Sequence, residues 1–154
     1  MVKEALRELG AKIEIWRVAV KPGKPFLFGR FESERVDSAG AMPGLHKCFV
    51  FGLPGNPVSA FVTFLQFVRP AILRMMGAMN LDLPQVPARL AVDLTNDGDR
   101  PHYIRGRLEH GKFTPTGRQE SHALFGLSQA NALLRVAAGQ SLKVDEIVNV
   151  QIWD

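Results

Sequence analysis

The chain has 154 residues, 46% of them hydrophobic and 22% charged, with a formal net charge of +4 and one cysteine. This composition suits a globular protein of one domain or two small ones, and it excludes an intrinsically disordered chain because there is enough apolar side chain to bury a core. A lone Cys48 excludes an intramolecular disulfide framework and a cysteine zinc site.

Val2, Ala5, Leu6 and Leu9 recur at helical spacing, and Gly10 is a natural stop for that helix. Ile13 to Val20 reads as a β-branched strand, closed by the loop Lys21-Pro22-Gly23-Lys24-Pro25. Phe26 to Phe31 reads as a second strand, 33–46 as a surface loop, and Lys47 to Phe51 as a short buried strand. Cys48 falls in that last strand, where an inert buried thiol is expected. After Gly52-Leu53-Pro54-Gly55, Asn56 is a good N-cap and Pro57 occupies the favoured first helical position. Phe61, Leu65, Val68, Ile72 and Met76 then form the predicted core stripe of a long helix. Pro70 within it predicts a kink or break near Gln66 to Arg69, and Gly77 its end.

Asn80 to Pro87 reads as a linker, which predicts domains at 1–79 and 80–154. Beyond it short β-like runs alternate with turns: Val86–Asp93, His102–Glu109, Lys112–Pro115, Ala132–Val136 and Ile147–Ile152. These predict a small, mostly antiparallel β domain.

The charge is uneven. Lys and Arg outnumber Asp and Glu by 11 to 6 up to Met79, against 8 to 9 from Asn80 onward. Such a bias suits an anionic small ligand. A nucleic-acid partner would be expected to show a basic stripe or stacking aromatics at a motif spacing, and neither is seen. The first ten residues lack the apolar core of a signal peptide, and no uncharged apolar stretch reaches the roughly 18 residues of a membrane span. The expectation is a soluble, cytoplasmic protein without membrane or nucleic-acid partners.

Most chemical constellations are missing: there is no Walker loop, no Gly-x-Gly-x-x-Gly and no nucleophile elbow. The four histidines have no metal-ligand spacing and read as exposed or hydrogen-bonded residues. Two segments remain. The turn from Gly52 to Pro57 delivers the chain into a helix N-terminus, where free N–H groups and the positive dipole end attract anions. The loop from Lys21 to Pro25 holds two lysines between prolines, which limits the freedom lost on binding. Were the preceding strands parallel, both segments would lie at one carboxyl edge of a sheet.

Val18-Ala19-Val20-Lys21-Pro22-Gly23-Lys24-Pro25 together with Val50-Phe51-Gly52-Leu53-Pro54-Gly55-Asn56-Pro57-Val58-Ser59-Ala60 closely resembles the molybdopterin molybdenumtransferase family, of MoeA and gephyrin E-domain type. Phe67-Val68-Arg69-Pro70, Tyr103-Ile104-Arg105-Gly106 and Gly117-Arg118-Gln119-Glu120-Ser121-His122 are similar to later parts of it, with Glu120 where the family usually has Gly. The resemblance implies part of an α/β molybdopterin-binding domain followed by a small β-barrel-like domain. It implies insertion of molybdate into adenylylated molybdopterin with release of AMP, a magnesium requirement, and a homodimer in the full-length protein. By the same resemblance, Lys21 and Arg17 would contact molybdate or phosphate, Arg17 standing where the family often has Lys. Lys24, Gly52, Pro54, Gly55, Asn56 and Pro57 would shape the pterin pocket, and Arg105 and Ser121 would reach a neighbouring site. The family's acidic Gly-Gly-x-Ser-x-Gly-Asp motif, which carries its magnesium ligands, is expected upstream of this chain. The alternative reading is a non-catalytic anion-binding or scaffold module that keeps the pocket without those carboxylates.

Overall fold

The computed structural model describes residues 2–35, 44–117 and 124–153. It has mixed α/β content and ends in a closed five-stranded barrel. Two compact units emerge, one of residues 1–18 and 25–53, the other of 19–24 and 54–154. These packing units cut across the sequence boundary at 79/80.

In the first unit, helix α1 (Val2–Glu8) ends as expected: Gly10 takes φ +89°, its N–H donates to Arg7 O, and Ala11 N–H donates to Leu6 O. This pair of bonds is the Schellman arrangement, which glycine accommodates without steric strain. Strands β1 (Lys12–Trp16), β2 (Leu27–Arg35) and β3 (Gly44–Gly52) form an antiparallel meander. β1 is shorter than its sequence suggests, because Arg17 turns to φ +70° and leaves the pleat. The stretch expected to be a loop over 33–46 contributes the end of β2 and the start of β3; residues 36–43 lie outside the described ones. Nor is the strand at Lys47 to Phe51 buried. Cys48 is exposed and Phe49 is 40% exposed, stacked on Phe28 at 6.0 Å between ring centroids. The physical reason is thin cover: among the described residues α1 buries none of its side chains.

In the second unit, α2 (Pro57–Thr63) runs through a π-helical turn, Phe64–Val68, into α3 (Arg69–Met75). Pro70 lacks an N–H for the regular ladder, and the wider turn just before it absorbs the mismatch, with Arg69 N–H donating to Phe64 O. The irregularity falls where Pro70 predicts it. It also rotates the apolar stripe. Val58, Val62, Leu65 and Val68 are buried, while Ile72 and Met76, predicted to join them, are 38% and 75% exposed. By length and composition the continuous helix Pro57–Met75 could cross a membrane, although it carries Arg69 and Arg74 and so is not an uncharged stretch. Its buried face nevertheless packs on protein: Val62 and Leu65 meet Leu83, Tyr103 and Leu133.

The segment read as a linker is partly structured, with Leu83 buried and β4 (Gln85–Leu90) beginning before its end. Strands β6 (His102–Glu109), β7 (Lys112–Pro115), β8 (Ala132–Val136) and β10 (Ile147–Ile152) match their predicted bounds. The barrel closes in the order β10-β4-β7-β6-β8, antiparallel except for β4 against β7. Two minor strands, β5 (Leu94–Thr95) and β9 (Ser141–Leu142), pair separately, and α4 spans Leu124–Ser128. His110 and Gly111, at φ +49° and +73°, make the tight β6–β7 turn. Alternation along the strands serves both faces. Ile104 and Leu134 point into the barrel with Phe113 and Val150, while Tyr103 and Leu133 face the helix.

Candidate functional site

The sheet of the first unit explains why two sequence-distant loops start together. Trp16 pairs with Leu27, and Leu27 pairs with Gly52. Neighbouring strands are antiparallel, but the two outer strands of a three-stranded meander run the same way, which meets the condition for the two loops to share an edge. β1 and β3 therefore both end at one edge, and the loops that follow leave from it. At that edge Arg17 is exposed and left-handed, its N–H donates to Phe26 O at 2.8 Å, and its guanidinium stands 5.8 Å from the Trp16 ring centroid. Lys3 approaches the same ring at 5.1 Å. Gly52 packs on Leu27, where a Cβ would come within 3.0 Å of the Leu27 Cβ.

The loop 19–24 belongs to the second unit, and the barrel holds it. Lys21 N–H donates to Pro101 O at 2.9 Å, Tyr103 N–H donates to Lys21 O at 2.7 Å, and Lys21 thereby forms a parallel bridge with His102. Pro22 and Gly23 are buried, whereas Lys21 and Lys24 are exposed. Gly23 is required twice over: its φ is +125°, and a Cβ there would collide with Thr63 Cγ2 on α2. The lysine loop is thus wedged between the start of β6 and the first turns of the helix.

Asn56 caps that helix. Its Oδ1 accepts from Val58 N–H at 3.1 Å and Ser59 N–H at 3.2 Å, Asn56 O accepts from Ala60 N–H at 2.8 Å, and Pro57 has no N–H to offer. The first-turn donors expected to face an anion are therefore already used. What remains of that expectation is the lysine loop beside the cap, together with buried Pro54 and with Gly55, which has open space where a Cβ would stand. Replacing Asn56 by Ala leaves two donors uncapped and should lower stability by about 1 kcal/mol, read by urea unfolding. An unchanged midpoint would show that solvent caps this turn equally well.

Arg105, expected to reach a neighbouring site, is 1% exposed and lies inside the unit; burial lowers its pKa. Ser121 lies outside the described residues. His102 is the residue that sequence reasoning missed. It is 8% exposed, and its pKa is pushed down to about 4, first by burial and then by the charges of Lys21 and Arg105. The only sequence signal was its place at the head of the Tyr103-to-Arg105 strand. A histidine kept neutral by the fold, but protonated near 6.5 when unfolded, imposes no penalty above that value. Stability is lost as pH falls from about 6.5 towards 4. After allowance for screening, the loss is on the order of 2 kcal/mol. His102→Asn should lack this part of the acid sensitivity in unfolding at pH 7 and pH 4.5. Parallel pH profiles for parent and variant would refute it.

Among the described residues no group of three or more His, Cys, Asp or Glu side chains could hold a metal ion. These described residues do not fit a magnesium site. An apolar cleft of about 410 Å³, lined by Phe61, Phe64, Arg69 and Trp153, contains none of the predicted site residues.

Comparison with known proteins agrees with the order of these regions. Residues 1–74 match the family described as "Probable molybdopterin binding domain", and residues 87–153 match "MoeA C-terminal region (domain IV)". The chain therefore joins a region matching the first of these families to a MoeA-type barrel. It is 36% identical over 148 residues to gephyrin of Dictyostelium discoideum, covering 87% of this chain and 20% of that protein. It is 30% identical over 156 residues to molybdopterin molybdenumtransferase of Haemophilus influenzae, covering 93% of this chain and 35% of that protein. The solved molybdopterin biosynthesis moeA protein of Pyrococcus horikoshii superposes with a TM-score of 0.72 at 26% identity, over 92% of this chain and 32% of that one. The chain belongs to the molybdopterin molybdenumtransferase family. It spans between a fifth and about a third of the length of these relatives.

Proposed function

We propose that the chain supplies the oxyanion-binding loop and barrel of an enzyme that inserts molybdate into adenylylated molybdopterin and releases AMP. The observation that carries this reading is the Lys21 loop. Its backbone is bonded to the barrel on both sides of one residue, and its glycine is fitted against α2, so the ammonium group is presented from a fixed base. A fixed cation loses little freedom on binding and discriminates by position as well as by charge. Lys21 is assigned to the oxyanion, Lys24 to a second phosphate or to holding the loop, and Arg105 to keeping the surroundings of the site positive. The transferase names of the relatives favour this reading over a non-catalytic module. A homodimer and a cytoplasmic location belong to the same proposal.

The test is a chimera in which this chain replaces the matching segment of the Haemophilus influenzae transferase. Molybdate-dependent release of AMP from adenylylated molybdopterin is expected, and Lys21→Ala should abolish most of it. A folded chimera that releases no AMP would refute the assignment.

A further inference from the structure

His102 Nε2 is buried and has no hydrogen-bond partner among the described residues. Such groups are rare because a buried donor or acceptor loses its water without compensation, and each calls for a specific explanation. Here the group does not stand in a random place. His102 is the residue bridged to Lys21, and the backbone bonds to Pro101 O and from Tyr103 N–H lie on either side of that bridge. In a parallel bridge the two paired side chains leave their strands on the same face, about 4.8 Å apart. Among the described residues the charged groups acting on the imidazole are Lys21 on the bridged loop and Arg105 on its own strand; opposite it on β8 stands apolar Val136. No carboxylate among the described residues contributes to the shift of its pKa.

We propose that His102 completes the oxyanion site at Lys21, its Nε2–H being the donor that a bound tetrahedral oxyanion accepts. This rests on the preceding assignment of Lys21 and adds a positioning and specificity-determining residue to it. A neutral imidazole within the influence of two cations is suited to the task. It offers a directed hydrogen bond without a third positive charge to repel the other two, and it becomes a stronger donor when an anion arrives. The linkage is reciprocal: an anion bound against the ring must raise its proton affinity, and lower pH must tighten the anion.

Sulfate is the probe, being a tetrahedral oxyanion that stays doubly charged across the range needed. Sulfate affinity is measured by calorimetry on the full chain, on Lys21→Ala, on His102→Leu and on His102→Gln, which retains an N–H donor. The His102 imidazole is followed by NMR through a pH titration with and without sulfate. Losses of at least about tenfold are expected in Lys21→Ala and His102→Leu, the size set by one hydrogen bond to a charged acceptor. His102→Gln should stay within about threefold of the parent, less than half a decade of affinity. The imidazole should titrate at higher pH when sulfate is present. If Lys21→Ala loses affinity while the imidazole titration is unmoved by sulfate, the His102 inference is overturned and the Lys21 site stands; a solvent-satisfied nitrogen gives this result. If the parent binds no sulfate, or Lys21→Ala binds as the parent does, both fall. The NMR titration needs only the parent chain, so the inference can be decided even if His102→Leu does not fold.

Discussion

Phe113→Ala is expected to destabilise the barrel by about 3–5 kcal/mol, the range for removing a fully buried phenylalanine. Phe113 is 0% exposed on β7 and packs among Leu90, Ile104, Leu134 and Val150. Its ring fills the place where Gly106 on β6 has no side chain. A Cβ on Gly106 would collide with Phe113 Cζ and Cε2 and would stand 2.8 Å from Thr114 O. Gly106→Ala alone should therefore cost about 1–3 kcal/mol by overpacking. In the double variant the ring is gone and only the Thr114 carbonyl crowds the new methyl, so the combined loss should be smaller than the sum of the two. Urea midpoints of the parent, the two single variants and the double variant form the cycle. Strict additivity would show that Gly106 and Phe113 do not share the space assigned to them.

This packing bears on the site because β6 carries both functions. Ile104 and Gly106 face the barrel interior, while Pro101 and Tyr103, on either side of His102 at the head of the strand, clamp the Lys21 loop. Disturbing the barrel is expected to loosen the loop. Stability must therefore be measured alongside every binding assay.

The barrel strands were legible because alternating runs were bounded by strong turn chemistry, such as His110-Gly111, and because the interior face is uniformly apolar. The helix start was legible for a similar local reason, since Asn56 and Pro57 each favour one position. Other features depended on partners that a sequence does not display. Trp16 ends β1 because Arg17 adopts a left-handed conformation, which no residue type there announces. Cys48 and Phe49 look buried by composition, but among the described residues of their unit the one helix, α1, is short and buries none of its own side chains. The rotation of the stripe that exposes Ile72 and Met76 follows from a π turn whose place, though not its effect on facing, could be read from Pro70. Within the site, Lys21 and Lys24 were found by their loop. His102 was not, because its importance comes from burial and from a bridge to a residue 81 positions away.

The largest functional effect is expected at Lys21. A hydrogen bond to a charged group contributes about 1.5–3 kcal/mol, whereas a charge remote from the site is screened beyond about 8 Å at physiological salt. Lys12 provides the contrast: it is an exposed lysine on β1, 3.9 Å from Glu14. Lys24 should fall between the two, since it borders the same loop without being bridged to the barrel. The decisive measurement is calorimetric titration of molybdate into the parent, Lys12→Ala, Lys21→Ala and Lys24→Ala at neutral pH and physiological salt. A loss of at least about tenfold at Lys21 with near-parental affinity at Lys12 is expected, on the conversion of about 1.4 kcal/mol per decade. Equal losses at Lys12 and Lys21 would mean diffuse attraction to a basic surface, and would contradict a site built on the Lys21 loop.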